Sequence, residues 1–244
     1  MFEEIDTYNI KILRYLASIM DISPKLEQKI MLEKIKQKLL KYYNEKKKSM
    51  EKYKKKQQIG NKGKDGKTFL VLDKFDYEYA MKTFRTNKSS EKIITEVTLQ
   101  RKCSNLGICP KIIDFDIHNK YIVMEKMDHH LFDEIKKKNG LLSESRQNEV
   151  IRIFKMLDKA KVFHADANIL NYMIRGDKLY IIDFGMSKEI NPKLVDQLKT
   201  STPNYEMMLL GFILKLKDMN CPPESYKVLK QHLSEEKRKI YNII

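Results

Sequence analysis

The chain has 244 residues, 42% of them hydrophobic, which suffices for one two-lobed domain or two small ones with a proper core. Its longest apolar stretch, MMLLGFILKL, is only roughly ten residues long, and its start, MFEEIDTY, is acidic, so composition argues against both a bilayer span and a signal peptide. The formal charge of +15 comes mainly from scattered lysines, and Cys103, Cys109 and Cys221 are odd in number and lack metal-ligand spacing, which argues against a disulfide framework or zinc site and for a soluble, cytoplasmic protein.

In chain order, Ile12, Leu13, Leu16, Ile19 and Met20 repeat at helical spacing, as do Met31, Ile35, Leu39 and Tyr42 after the break at Ser23-Pro24. They predict a helical extension over residues 1–56. Its basic cluster KYYNEKKKSMEKYKKK, residues 41–56, reads as helix and offers either a solvated face or a docking surface for an anionic partner. No base-stacking motif accompanies it, so nucleic acid is a partner without a motif in its support. From residue 57 the pattern changes to a glycine loop, Gly60, Gly63 and Gly66, with two β-type runs, KTFLVLD and YEYAMKTF. A helix should start at Ser89-Ser90, which supply capping oxygens, and run through Ile93, Val97 and Leu99. Strands KIIDFDI and KYIVMEK follow. Beyond Met127 the pattern turns helical, with LFDEIKKK and a longer helix carrying Val150, Ile151, Phe154 and Leu157 on one face. Then NYMI and KLYIID form a hairpin that turns on Arg175-Gly176-Asp177. The expected class is α+β: a β-rich lobe over residues 57–127, a shortened α-helical lobe over residues 128–244, and a ligand between them.

The stretch VFHADANILNYMIRGDKLYIIDFGMSK carries the chemistry. A phosphoryl group in transfer needs its charge neutralised and its nucleophile aimed. Magnesium does the former while taking only one or two protein oxygens. Asp183, at the end of an apolar strand, and Asn171, at the start of the facing strand, are candidate metal ligands; Asp166, five residues before Asn171, is the candidate base for an incoming hydroxyl. His164, beside Phe163, reads as a brace for this loop.

HADANILN followed by DFG resembles the protein-kinase superfamily, whose catalytic loop has the form His-Arg-Asp, four residues, then Asn, before a strand ending in Asp-Phe-Gly. YAMK resembles the family's lysine strand, which implies that Lys82 holds ATP phosphates with Glu96 as its helix partner. IVMEKM resembles the segment joining the lobes: Met124 would gate the pocket, the Glu125 carbonyl and Met127 amide would meet the adenine edge, and Ala80 and Met173 would sandwich the ring. The resemblance spans about Ile59 to Leu214 and implies ATP and Mg2+ as cofactors.

Departures from that pattern are equally visible. The first glycine gap is one residue wide of G-x-G-x-x-G, Thr68 stands where Val commonly packs on adenine, and Ala165 and Asn168 replace an Arg and a Lys. Only about twenty residues separate Gly185 from the next long helix, without an Ala-Pro-Glu element. Such trimming resembles the compact kinases of large DNA viruses, which would place the chain in host cytoplasm or virion, and the small kinase of the tRNA-threonylcarbamoyl-modification complex. The implied activity is ATP- and magnesium-dependent transfer to Ser or Thr of a protein substrate. The alternatives are a small-molecule kinase, a tRNA-modification kinase or ATPase, and a pseudokinase scaffold that binds through the basic extension. Ser187, Thr200, Ser201 and Thr202 are available phosphate acceptors on the segment after Gly185, yet with Ala165 unable to hold a phosphate there, activity should not depend on one.

Overall fold

The computed structural model describes residues 17, 20–23, 27–60 and 66–243, with backbone alone at 28 and 42–51. The expected first helix, with Ile12, Leu13, Leu16 and Ile19, and the loop residue Gly63 lie outside the described residues. The chain divides into two units, residues 1–54 and 55–244. In the first, helix α1 (Gln28–Glu51) follows the three- and four-residue spacing of its apolar side chains. Met31 and Ile35, one turn apart, are buried with Ala17 and Ile22, and Leu32 and Leu39 pack beside them.

The basic helix ends earlier than its sequence suggests. Residues Lys54–Gln58 form strand β1, although lysine favours helix and the run was expected to stay helical to Lys56. β1 is the edge of a five-stranded sheet of order β1-β2-β3-β5-β4, with β2 (Gly66–Leu72), β3 (Glu78–Phe84), β4 (Ile112–Asp116) and β5 (Tyr121–Glu125). All five β1 side chains are exposed, and lysines on such an edge discourage further strand pairing. β2 with β3, β3 with β5 and β5 with β4 pair antiparallel. The β2–β3 turn closes on Asp73, whose Oδ1 accepts the N–H groups of Phe75 at 2.8 Å and Tyr77 at 3.0 Å.

Helix α2 (Ser90–Ser104) is inserted between β3 and β4 and starts where the capping rule places it, with Ser89 Oγ accepting from Lys92 N–H at 3.4 Å. Its early residues Ile93 and Val97 pack with Phe84 and Ile122. Leu99 and Cys103 belong instead to the larger core of the helical lobe. One helix thus carries apolar surface for both lobes, and a shift of α2 is felt in each.

The helical lobe comprises β6 (His129–His130), α3 (Leu131–Lys137), α4 (Glu144–Lys159), β7 (Val162–Phe163), β8 (Tyr172–Arg175), β9 (Lys178–Ile181), β10 (Lys188–Glu189), α5 (Pro192–Leu198), α6 (Leu209–Asp218) and α7 (Glu235–Ile240). α4 buries Val150, Ile151, Phe154 and Leu157, the face read from sequence, and α6 buries Leu209, Phe212, Ile213 and Leu216. Between them Tyr172 meets Phe154 and Phe212 edge to face, with ring centroids 6.3 and 5.0 Å apart. Tyr172, the middle of this aromatic cluster, directly follows Asn171, so core packing and the position of Asn171 are joined. The architecture is the expected α+β, two-lobed one.

Candidate active site

Lys82 lies on β3, opposite Ile122 of β5 and Thr68 of β2. Its Nζ meets Glu96 Oε1 of α2 and Asp183 Oδ1, each at 2.6 Å. These residues are 14 and 101 positions away in sequence, so folding alone assembles the trio. Burial works to lower the Lys82 pKa, but the carboxylates of Glu96 and Asp183 overcome it and raise the pKa above the ordinary lysine value. For Asp183, burial pushes up and the Lys82 cation pulls down; the cation prevails and the carboxyl lies below its usual value. The Asp183 side chain remains 48% exposed and so accessible to a ligand.

The catalytic loop is held by its backbone. His164 is fully buried, with Nδ1 3.2 Å from Asp166 O and Nε2 3.0 Å from Ile182 O. Burial holds its pKa below the ordinary histidine value, against those two carbonyls and the nearby carboxylates. Phe184 lies edge to face on the His164 ring at 5.1 Å. His164 therefore braces both ends of the constellation. Ile182 N–H donates to Asn171 O at 2.8 Å, which sets Asn171 beside the residue preceding Asp183. Ala165 and Asp183 both have positive φ, 63° and 66°, a strained geometry for residues with side chains that occurs where loops are constrained for function. Asp166 Oδ1 accepts the Asn168 N–H at 3.1 Å, an arrangement that orients the carboxylate. Asn171 is buried, and its Nδ2 has no hydrogen-bond partner. The Asp183 carboxylate and the Asn171 amide oxygen are hard, sparse donors of the kind that would suit magnesium held jointly with phosphate oxygens.

The other residues expected to meet a nucleotide lie as follows. Ala80, on β3, is buried and faces Leu70 and Met124 across the sheet. Met124 is half-buried, with Gln100 Nε2 3.8 Å from its sulfur. Glu125, at the end of β5, accepts Lys111 N–H at 2.9 Å and pairs with Arg175 at 2.9 Å, so its side chain pins the segment that joins the lobes. Met127 is buried, and Met173 is half-buried on β8 opposite His130 and Tyr180. Gly60 has φ +73°, a region that favours glycine, and a Cβ on Gly66 would stand 1.9 Å from Thr83 O, so both positions suit glycine for reasons separate from phosphate.

The segment after Gly185 corrects one expectation. Ser187 and Thr200 are buried, Ser187 Oγ donating to His164 O at 3.4 Å and Thr200 Oγ1 to Glu206 at 2.6 Å. They are structural hydroxyls, whereas Ser201 is exposed and Thr202 half-buried. β10 pairs with β7, Ile190 N–H donates to Lys161 O at 2.8 Å, and Asn191 caps α5. The segment is ordered by these contacts.

Three residues here escape sequence reading. Asn204 is fully buried: its Oδ1 accepts His164 N–H at 3.0 Å, and its Nδ2 donates to Asp158 Oδ1 at 2.6 Å and Val162 O at 2.7 Å. A Cβ on Gly211 would meet the Ala167 Cβ at 3.0 Å, so α6 touches the catalytic loop through a glycine. Lys88 donates to Glu96 Oε2 at 2.8 Å. In sequence these look like a helix-start Asn, a helix-weakening Gly and a loop Lys.

The sequence matches the protein kinase domain family over residues 53–207, more than half of the chain. It is 31% identical over 116 residues to a probable bifunctional tRNA threonylcarbamoyladenosine biosynthesis protein of Methanosphaera stadtmanae, covering 45% of this chain and 22% of that protein. It is 28% identical over 123 residues to the KEOPS complex subunit Bud32 of Pyrococcus abyssi, covering 49% and 55%. A probable serine/threonine-protein kinase BUD32 homolog of Archaeoglobus fulgidus is 28% identical over 113 residues, covering 43% and 55%. The match thus spans about half or less of the length of these curated relatives. With the two-lobed fold, the lysine–glutamate pair and the His-x-Asp loop in place, the chain belongs to the protein kinase domain family.

Proposed function

We propose that the chain transfers the γ-phosphate of ATP to a Ser or Thr hydroxyl of a protein. The observation that carries this reading is Lys82 Nζ held at 2.6 Å by both Glu96 and Asp183, which brings a cation and two carboxylates to one point. In this mechanism Lys82 binds the α- and β-phosphates, and Glu96 keeps its ammonium aimed. Asp183 and Asn171 would hold magnesium, which supplies charge neutralisation on the phosphates. Asp166 accepts the proton of the attacking hydroxyl. Ala80, Met124, Met127 and Met173 bind the adenine, the Glu125 carbonyl and Met127 amide hydrogen-bond its edge, and Thr68 with the loop of Gly60, Gly63 and Gly66 covers the phosphates.

A second reading, a kinase or ATPase that works inside a tRNA-modifying assembly, is favoured by the names of the relatives, a tRNA threonylcarbamoyladenosine biosynthesis protein and a KEOPS complex subunit, and by the short segment between Gly185 and α6. One experiment addresses both. The chain is incubated with γ-labelled ATP and magnesium, with a generic acceptor protein in one arm and an archaeal tRNA-threonylcarbamoylation assembly lacking its kinase in another. Label on Ser or Thr of the acceptor supports the first reading. Label released as inorganic phosphate only in the second arm favours the other, and label left on ATP in both refutes phosphotransfer.

A further inference from the structure

Glu96 is 2% exposed and carries two lysines: Oε1 meets Lys82 at 2.6 Å and Oε2 meets Lys88 at 2.8 Å. The second lysine is unusual on physical grounds. Its own side chain is only 7% exposed, and removing an ammonium from water is costly unless a partner compensates. A loop lysine of ordinary purpose would extend into solvent. Instead Lys88 Nζ lies 4.4 Å from the centre of the Phe84 ring, the same ring that Lys82 Nζ approaches to 5.3 Å. The turn that delivers it is fastened as well. Lys88 N–H donates to Arg85 O at 3.1 Å, and Lys120 Nζ donates to Lys88 O at 2.8 Å and to Thr86 O. Ser89, the next residue, caps α2.

We propose that Lys88 is a positioning residue for phosphotransfer, which locks the Glu96 carboxylate, and α2 with it, in the orientation that aims Lys82 at the nucleotide phosphates. With one cation on each oxygen, the carboxylate cannot rotate without breaking an ion pair. Lys82 is shared among Glu96, Asp183 and, on this reading, ATP, so its hold on Glu96 weakens when the phosphates compete for it. Lys88 holds the other oxygen of Glu96, at 2.8 Å, and on this reading is not shared with the nucleotide. The lysine–glutamate pair of a kinase depends on where its helix sits, and here a residue of the same lobe sets that position. The device requires no phosphate on the segment after Gly185, in keeping with Ala165 and with the buried hydroxyls of Ser187 and Thr200.

The inference rests on the phosphotransfer reading, and its test separates the two. The full-length wild type, Lys88→Met, Lys88→Arg, Glu96→Gln and the double variant Glu96→Gln with Lys88→Met are compared for kcat/KM in label transfer and for amide hydrogen exchange over residues 90–104. Lys88→Met should lower kcat/KM by about tenfold or more, the scale of a small misplacement in an active site, and should speed exchange in α2. Lys88→Arg should restore both to within about threefold. In the Glu96→Gln background, adding Lys88→Met should change kcat/KM by less than about threefold, because the residue acts through Glu96. Should Lys88→Met fail to fold, Lys88→Gln replaces it: it removes the cation but leaves a polar group beside the buried carboxylate, so faster exchange in α2 and a smaller loss of kcat/KM, about threefold or more, are expected. An active wild type with unchanged kcat/KM and exchange in Lys88→Met overturns the inference, as does an equal loss in the Glu96→Gln background. A wild type that moves no label refutes phosphotransfer itself, and the positioning role of Lys88 falls with it.

Discussion

Asn204 ties the start of the catalytic loop to α4, and replacing it isolates that tie. Asn204→Ala removes the acceptor of His164 N–H and the donors to Asp158 Oδ1 and Val162 O, three bonds of 3.0, 2.6 and 2.7 Å. Two are neutral and worth about 1 kcal/mol each, and the one to a carboxylate is worth about 1.5–3 kcal/mol. Asp158 keeps the backbone N–H groups of Asn204 and Tyr205, at 3.1 and 2.9 Å, so its carboxylate is not stranded. The expected loss is therefore about 3.5–5 kcal/mol, a large part of the roughly 5–15 kcal/mol that stabilises a domain. Asn204→Asp is more diagnostic. It retains an oxygen for His164 N–H but sets a second carboxylate against Asp158, whose carboxyl burial already pushes above its usual value. The pair must then share a proton, and the folded state binds that proton more tightly than the unfolded one. Stability of Asn204→Asp should accordingly rise as pH falls from about 8 to about 5, toward the wild-type value. Urea unfolding at several pH values, with midpoints compared at constant slope, measures this, and kcat read in parallel should fall by about a hundredfold in Asn204→Ala as the loop loosens. Wild-type unfolding midpoints and turnover in Asn204→Ala would refute the reasoning, as would pH-independent stability in Asn204→Asp.

Asp166→Asn should reduce kcat by about two to four orders of magnitude with ATP affinity little changed, the signature of a lost general base in single-turnover and equilibrium binding measurements. Asp183→Asn should abolish magnesium-dependent transfer and also lower stability at neutral pH, where Lys82 stabilises the ionised carboxylate. Because the folded pKa of Asp183 is depressed, that stability difference from wild type should persist above about pH 4 and vanish as pH falls through the lowered folded value, as thermal unfolding against pH would show. Gly211→Ala gains about 1 kcal/mol of helix propensity but sets a methyl 3.0 Å from Ala167 Cβ. Activity should fall severalfold while the melting temperature stays within a few degrees, and unchanged turnover would show that α6 does not set the catalytic loop.

Much of the site was legible because it is written in short-range patterns. HADANILN and DFG fix their own internal spacing, Ser89 announces the start of α2, and alternating or helical apolar residues mark β2, β3, α4 and α6. These signals act over a few residues, where backbone geometry couples neighbours directly. The expected metal ligands could be named from the loop and strand pattern and Lys82 from the resemblance of YAMK to a kinase lysine strand, and the tertiary structure brings Lys82 and Asp183 together across 101 positions. Composition could not show that β1 begins at Lys54, since pairing with β2 outweighs the helix preference of lysine. Nor could it show that Ser187 and Thr200 face inward, that Asn204 answers Asp158 across 46 positions, or that Lys88 is a buried partner of Glu96 and not another surface lysine. A polar side chain has the same identity in water and in a core. What distinguishes the two is the partner that burial supplies, and that partner arrives from another element only when the chain has folded.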